Sequence, residues 1–207
     1  LTSSSVSGSV TISRNGDLVG RVYVTSTTDG ITNGSAIVTD ATLEIGGQQI
    51  DKQTTEWMEL WNELSTSDSK ALGLKSMSGC VGSAGTTGVG YVQVPLQFWF
   101  CRNPGLALPL IALQYHEVKV KFNFGIGEAV VGADAALQVW ADYVYLDTDE
   151  RRRFAQVSHE YLIEQVQTQP EGSSAAKFKL NFNHPVKELI WTDAASITAQ
   201  TAKVTLN

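Results

Sequence analysis

The chain has 207 residues, 43% of them hydrophobic and 17% charged, enough apolar content to bury a core and too much for a disordered tail. Fifteen basic against 21 acidic side chains leave a net charge of −6, the wrong sign for a surface that neutralises phosphates, so direct packaging of nucleic acid is excluded as an expectation. No apolar run approaches the roughly 20 residues that a membrane-spanning helix needs.

Elements follow in chain order. The Ser-rich start, Leu1–Ser9, has neither a basic nor an apolar region and is no signal peptide. Val10-Thr11-Ile12-Ser13, then Arg14-Asn15-Gly16-Asp17, then Leu18–Val24 read as a hairpin, because Asn-Gly between apolar stretches tolerates positive φ. Thr25–Ser35, Ser65–Gly90 and Gly125–Ala135 read as loops. Trp57, Leu60, Trp61 and Leu64 share one face of a helix over Thr54–Leu64, the one helix expected among strands. Val92, Val94, Leu96, Phe98 and Phe100 alternate with Gln93, Pro95, Gln97 and Trp99, which predicts a strand with Trp99 on its polar side. Val118–Phe124 and Leu137–Tyr145 alternate in the same way. Near the end, Phe178-x-Leu180, Asn183-His184, Val186 and Ile190-Trp191 repeat the outline of the first hairpin. That repeat predicts two tandem β domains, residues 1–167 and 177–207, joined by a linker over 168–176.

The chemistry-bearing residues point to no catalyst. Gly82–Gly88 has the glycine content of a phosphate loop without its Gly-Lys-Ser/Thr. His116-Glu117 and His159-Glu160 open like a zinc motif, but Val120 and Ile163 stand where the second histidine belongs, and both segments read as strands. Asp147–Arg153 is the densest charge cluster, and its opposite signs side by side predict a self-satisfied structural turn or an interface. Asn33-Gly34-Ser35 matches a glycosylation pattern. Cys80 and Cys101 are too few for a disulfide framework and fit a reduced site of folding. The expectation is therefore no catalytic residue, no cofactor and no metal.

Val94–Phe100, continuing through Asn103-Pro104-Gly105-Leu106-Ala107-Leu108-Pro109-Leu110 to Val118, resembles a signature of the major capsid proteins of nucleocytoplasmic large DNA viruses, algal viruses and iridoviruses especially. Ile12–Leu18, Leu43–Asp51, Asp142–Gln167 and Leu180–Pro185 resemble the same family, in the family's order. The resemblance implies an all-β double jelly roll, of which this chain holds the first sandwich and the opening hairpin of the second. It implies homotrimeric, pseudo-hexagonal capsomers tiling an icosahedral shell, with neighbouring capsomers and minor capsid proteins as partners. It also implies residence in the virion after assembly in the host cytoplasm, with no membrane insertion. Family chains are about twice as long, so a partial chain is expected: the arm before the first strand is missing, and the sequence stops within a strand at Lys203–Asn207. On this reading, trimer contacts order part of Ser65–Gly90, and Trp99 lies near a subunit boundary. A carbohydrate-binding jelly-roll module is the alternative, which an exposed aromatic platform would favour; a metal-holding cupin ranks last.

Overall fold

The computed structural model describes residues 7–26, 34–78, 91–124, 137–169 and 179–191. Two compact units make up the chain, Leu1–Gln165 and Val166–Asn207.

The first unit carries eight strands: β1 Ser7–Thr11, β2 Leu18–Ser26, β3 Val38–Ile45, β4 Gln48–Thr54, β5 Val92–Pro95, β6 Leu108–Pro109, β7 Val118–Phe124 and β8 Leu137–Val144. Its helices are α1 Thr55–Ser65, α2 Asp68–Met77, the single turn α3 Trp99–Arg102, and α4 Thr148–Gln156. One antiparallel sheet runs β1-β7-β3-β4. In the other, β8 lies along the whole of β2, which leaves β5 and β6 to share the opposite edge of β2. Pairing is nested: β2 takes β8, and inside that pair β3 takes β7, each pair in a different sheet. A long antiparallel ribbon folded over on itself produces this wrapped arrangement, which is the logic of a jelly roll.

Period-two patterning fills the space between the sheets. Val118, Val120, Phe122 and Phe124 are buried while Lys121 and Asn123 face solvent, as the alternation predicts. Ala41 and Leu43 on β3 stand directly opposite Phe122 and Val120. Val19, Val22, Val24, Val92 and Leu108 complete the same core from the second sheet.

Several expectations need correction. Val10–Ile12 and Leu18–Val24 do not form a hairpin; β1 pairs with β7 in one sheet and β2 with β8 in the other. Asn15-Gly16 lies in the crossing between sheets, and Gly16 is required by proximity, since a Cβ there would stand 2.7 Å from the Cβ of Tyr143. The tight two-residue hairpin is β3–β4, where Gly46 (φ 60) and Gly47 (φ 82) join the paired residues Ile45 and Gln48.

The strand expected over Val92–Phe100 ends at Pro95. Leu96 N–H still reaches Val22 O at 2.9 Å, but Gln97 N–H is taken by Gln53 Oε1 of the opposite sheet at 3.2 Å. The chain thereby leaves its ladder and coils into α3. Trp99 is accordingly buried, 2% exposed and edge-on to Phe100, so it marks no subunit boundary in this unit.

Nor is there a single helix. α1 forms where expected, with Thr54 capping Trp57 N–H and Thr55 Oγ1 bonded to the carbonyls of Val38 and Thr39. Those anchors pull its first turn inward, so Met58 is the buried residue and Leu64 stands 59% exposed. Trp57 and Trp61 stack at 5.6 Å, half-buried. Within the loop expected over Ser65–Gly90, Asp68–Met77 is helical, since Lys70, Ala71, Leu72, Leu74 and Lys75 favour a helix despite Gly73. Thr25 and Ser26, expected in a loop, are buried in β2. The remainder of that first loop includes a 3₁₀ turn at Gly34–Ile37. Residues 27–33, 79–90 and 125–136, and with them Asn33, Cys80 and the Gly82–Gly88 loop, lie outside the described residues.

In the second unit the described residues are held by side-chain-to-backbone bonds. Gln169 accepts from Asn181 N–H at 2.9 Å and donates to Lys179 O at 2.7 Å, while Gln167 Oε1 accepts from Asn183 N–H at 3.2 Å. These glutamines occupy backbone groups that a ladder would use, and residues 179–191 contain no strand. Val186, Leu189 and Trp191 remain exposed.

Candidate assembly surfaces

The charge cluster Asp147–Arg153 is a helix rather than a turn. Asp149 and Glu150 occupy the first turn of α4 and Arg153 the last, which complements the helix dipole. Arg151 reaches Asp17, whose Oδ2 accepts from the guanidinium at 2.9 Å and from Leu146 N–H at 2.8 Å. Asp17 main-chain groups also hold Val144 O and Ile111 N–H. One acidic residue, through its carboxylate and its main chain together, thus ties the start of β2 to β8, the 109–115 turn and α4. The Arg151 hydrogen bond, reinforced by Leu146 N–H, holds the Asp17 carboxyl below its ordinary pKa. The expected self-satisfied cluster is realised in part by the exposed Arg152–Asp149 pair at 3.6 Å.

Beside this corner lies a groove of about 430 Å³ between the 109–115 turn and residues 154–161, lined by Ile111, Leu113, Tyr115, Phe154, Val157 and Tyr161. Tyr115 is 94% exposed at its rim, and Leu162, next in sequence to the groove, is 83% exposed. The His159 segment is not a strand, and the His116 segment becomes one only at Val118, where β7 begins. His159 stacks on Phe154 at 4.8 Å with Nε2 3.0 Å from Phe154 O. His116 closes the turn before β7 and sits against Gly46, where a Cβ would meet its Nδ1 at 2.7 Å. Glu117 accepts from Lys119 and from Thr11, which lowers its pKa. Among the described residues no group of three or more His, Cys, Asp or Glu side chains could hold a metal ion.

The outer face of the β2–β8 sheet carries an aromatic row that sequence reasoning overlooked. Tyr23 pairs with Pro95 on one side and Trp140 on the other, and side chains at paired positions share a face. Trp140 is 56% exposed, its Nε1–H donating to Thr25 Oγ1 at 3.1 Å, and Tyr23 O–H donates to Asp142 at 3.3 Å. The signal was present in the apolar residue Trp140 standing in the polar phase of its strand. The opposite sheet is polar outside. Lys121–Glu44 at 2.5 Å, Lys52–Asp40 at 3.4 Å and the Asn123–Asp40 hydrogen bonds line a shallow groove of about 550 Å³ and neutralise one another.

Arg102 was also missed. It donates to Gln97 O at 2.9 Å, pairs with Glu164 at 3.1 Å and lies 4.2 Å over the Trp61 ring, so it fastens the 157–165 segment to α1 and α3. Gln165 adds a bond to Ile50 O. Cys101 beside it is free and buried, and burial pushes its thiol up to about 12.

A nested two-sheet sandwich whose polar groups serve its own corners, and whose apolar side chains Tyr115, Trp140 and Leu162 face outward, has the make-up of a building block that packs against other surfaces. Comparison with known proteins gives the particular family. Residues 3–147 match the family described as "Major capsid protein N-terminus", and residues 150–204 match "Large eukaryotic DNA virus major capsid protein". The chain belongs to the major capsid proteins of large eukaryotic DNA viruses. It is 50% identical to the major capsid protein of Pyramimonas orientalis virus over 95% of this chain and 56% of that one. It is 40% identical to the major capsid protein of Paramecium bursaria Chlorella virus 1, over 88% of this chain and 48% of that one. A chain of the PBCV-1 virus capsid superimposes with a TM-score of 0.73 at 39% identity, over 86% of this chain and 49% of that chain. These relatives are structural proteins, not enzymes, and their fold is the jelly roll read from the sequence. The chain spans about half the length of the curated relatives it matches.

Proposed function

We propose that this chain is the part of a capsid building block that sets lateral contacts, with three copies of the whole protein forming a pseudo-hexagonal capsomer. Such capsomers tile an icosahedral shell in the virion, join neighbouring capsomers and minor capsid proteins, and assemble in the host cytoplasm. The observation that carries this reading is the outward-facing apolar set Tyr115, Trp140, Val157 and Leu162 on a sandwich whose core is already filled. Tyr115 and Val157 line one groove, and clustered apolar residues on a surface, unlike scattered single ones, mark a site that another surface covers. The first sandwich and the beginning of a second domain, residues 1–167 and 177–207 with a linker over 168–176, supply one arm of that capsomer. No catalytic residue, cofactor or metal enters this role.

Light scattering on the full-length protein tests it. A trimer stable on dilution is expected, and Tyr115→Ser with Leu162→Ser should weaken it without lowering the urea midpoint of the monomer. A full-length protein that remains monomeric at high concentration ends the capsomer reading.

One observation favours a second reading. Trp140, pinned by Thr25 beside Tyr23, Gln138 and Asp142, is the kind of flat aromatic platform that stacks on a sugar ring, as a carbohydrate-binding jelly-roll module would require. Trp57, Trp61 and Trp99 cannot serve, being buried or half-buried. Glycan-array binding that disappears in Trp140→Ala, from a protein that does not trimerise, would select it.

A further inference from the structure

Asn15-Gly16 has no part in the pairing described above. Asn15 is exposed, and among the described residues neither its side-chain amide nor the Gly16 N–H makes a hydrogen bond. The neighbours on both sides are fixed. Arg14 donates to Leu113 O and His116 O, and Asp17 is held from both its backbone and its carboxylate. A free amide carbonyl therefore stands next to a free backbone nitrogen, with no side chain on Gly16 to shield it.

We propose that Asn15 is a self-modification site, where the chain deamidates spontaneously with water as the co-reactant. The Gly16 nitrogen, losing its proton to solvent base, attacks Asn15 Cγ. The N–Cγ bond forms, the Cγ–Nδ2 bond breaks and ammonia leaves, which gives a succinimide. Water then opens either ring carbonyl, yielding aspartate when the original backbone link is restored and isoaspartate when the chain is routed through the former side chain. No oxidant or reductant is needed, since the sum is amide plus water to carboxylate plus ammonium.

Other asparagines in the described residues lack one requirement or another. Asn62 accepts from Gln97 on α1, Asn103 precedes Pro104 and so has no attacking N–H, and Asn123 donates to Asp40 within β7. Asn181 and Asn183 precede the bulky Phe182 and His184.

The two products differ in consequence. Aspartate at position 15 leaves the backbone path unchanged. Isoaspartate inserts an extra methylene just before Gly16, which already packs against Tyr143, and before Asp17, which holds α4. The isoaspartyl form should thus loosen the β2–β8–α4 corner, while the aspartyl form does not.

The experiment ages the intact chain at physiological temperature across neutral to mildly alkaline pH. Modification is read by mass spectrometry on peptides that keep Asn15 internal, because trypsin would cut after Arg14. Asn15 is expected to convert at least an order of magnitude faster than Asn62 or Asn123 in the same sample, and faster as pH rises. Asn15→Gln should abolish modification there with an unchanged urea midpoint. Asn15→Asp should unfold like the fresh chain, and the aged isoaspartyl fraction earlier. Conversion of Asn15 no faster than Asn62, or slower by an order of magnitude than in the urea-unfolded chain, overturns the site. Equal midpoints for the aged and Asn15→Asp chains overturn its structural effect.

Discussion

Replacing Asp17 by alanine removes the acceptor that joins Leu146 N–H and Arg151 to β2. A hydrogen bond to a charged group contributes about 1.5–3 kcal/mol, and an orphaned buried N–H costs about 1–3 kcal/mol. The losses are not additive, because Arg151 is 52% exposed and water re-solvates its guanidinium, whereas Asp17 is only 11% exposed. Asp17→Ala should therefore cost about 2–4 kcal/mol, a large share of the roughly 5–15 kcal/mol that holds a domain together. Asp17→Asn keeps one acceptor for Leu146 and should cost about 1–2 kcal/mol, and Arg151→Ala at most about 1 kcal/mol. Urea unfolding measures each loss, with a slope of about 2 kcal/mol/M turning the alanine effect into a midpoint shift of about 1–2 M. The pH dependence has a definite sign. A carboxyl whose pKa is lower folded than unfolded stabilises fully above its unfolded value, about 3.9, and this contribution is lost as pH falls through the lower folded value. The wild-type chain should lose more stability than Asp17→Asn between pH 5 and pH 2 (about the carboxylate range). If Arg151→Ala costs as much as Asp17→Ala, or Asp17→Ala costs under about 0.5 kcal/mol, this corner does not rest on Asp17.

Gly47→Ala, at φ 82 in open space, should cost about 1 kcal/mol from backbone strain alone, and Gly46→Ala more because its Cβ would meet His116; thermal melts of the pair separate strain from clash. Arg102→Ala should free the 157–165 segment for early proteolysis at a cost of about 1–3 kcal/mol, with Arg102→Lys rescuing little because Lys lacks the planar fork. Cys101 should react with a thiol reagent only at the rate of unfolding, since its pKa of about 12 leaves almost no thiolate near neutrality; immediate modification of the folded chain at Cys101 contradicts its burial.

The sandwich was legible wherever one face meets the core and the other meets water. Val118–Phe124 shows it plainly, because Lys119, Lys121 and Asn123 can only point outward. Partnership was not legible. Asn15-Gly16 carries the local chemistry of a hairpin, yet β1 and β2 gain more by pairing with strands over a hundred residues away, and a tertiary preference overrides a turn propensity. Phe98, Trp99 and Phe100 continue the strand alternation in the sequence, but all three are buried in the fold, and the decisive influence was Gln53 of another strand claiming the Gln97 N–H. Of the surface, the Asp147–Arg153 charges stood out in the sequence, while their partner Asp17 could not, being 134 residues from Arg151. Arg102 was hidden for the same reason: an arginine hub is defined by neighbours that only the fold brings together, whereas Trp140 was readable from its place in the polar phase of its strand.

The nested pairing also sets a schedule for synthesis. Leu18 of β2 finds its partner Val144 only after the intervening chain has been made, and at about 5–20 residues per second that interval is roughly 6–25 s. Until then β5 and β6, made earlier, pair with only one edge of β2, so Val19, Val22 and Val24 lack both β8 and a closed core, while β3, already paired with β4, waits for β7. Contacts of such long range make folding slow and leave strand edges open to the wrong chain. On the proposed function, a protein made in the many copies a shell requires meets its own nascent siblings at the moment it is least able to refuse them, and the abundance that assembly needs becomes a hazard of its folding.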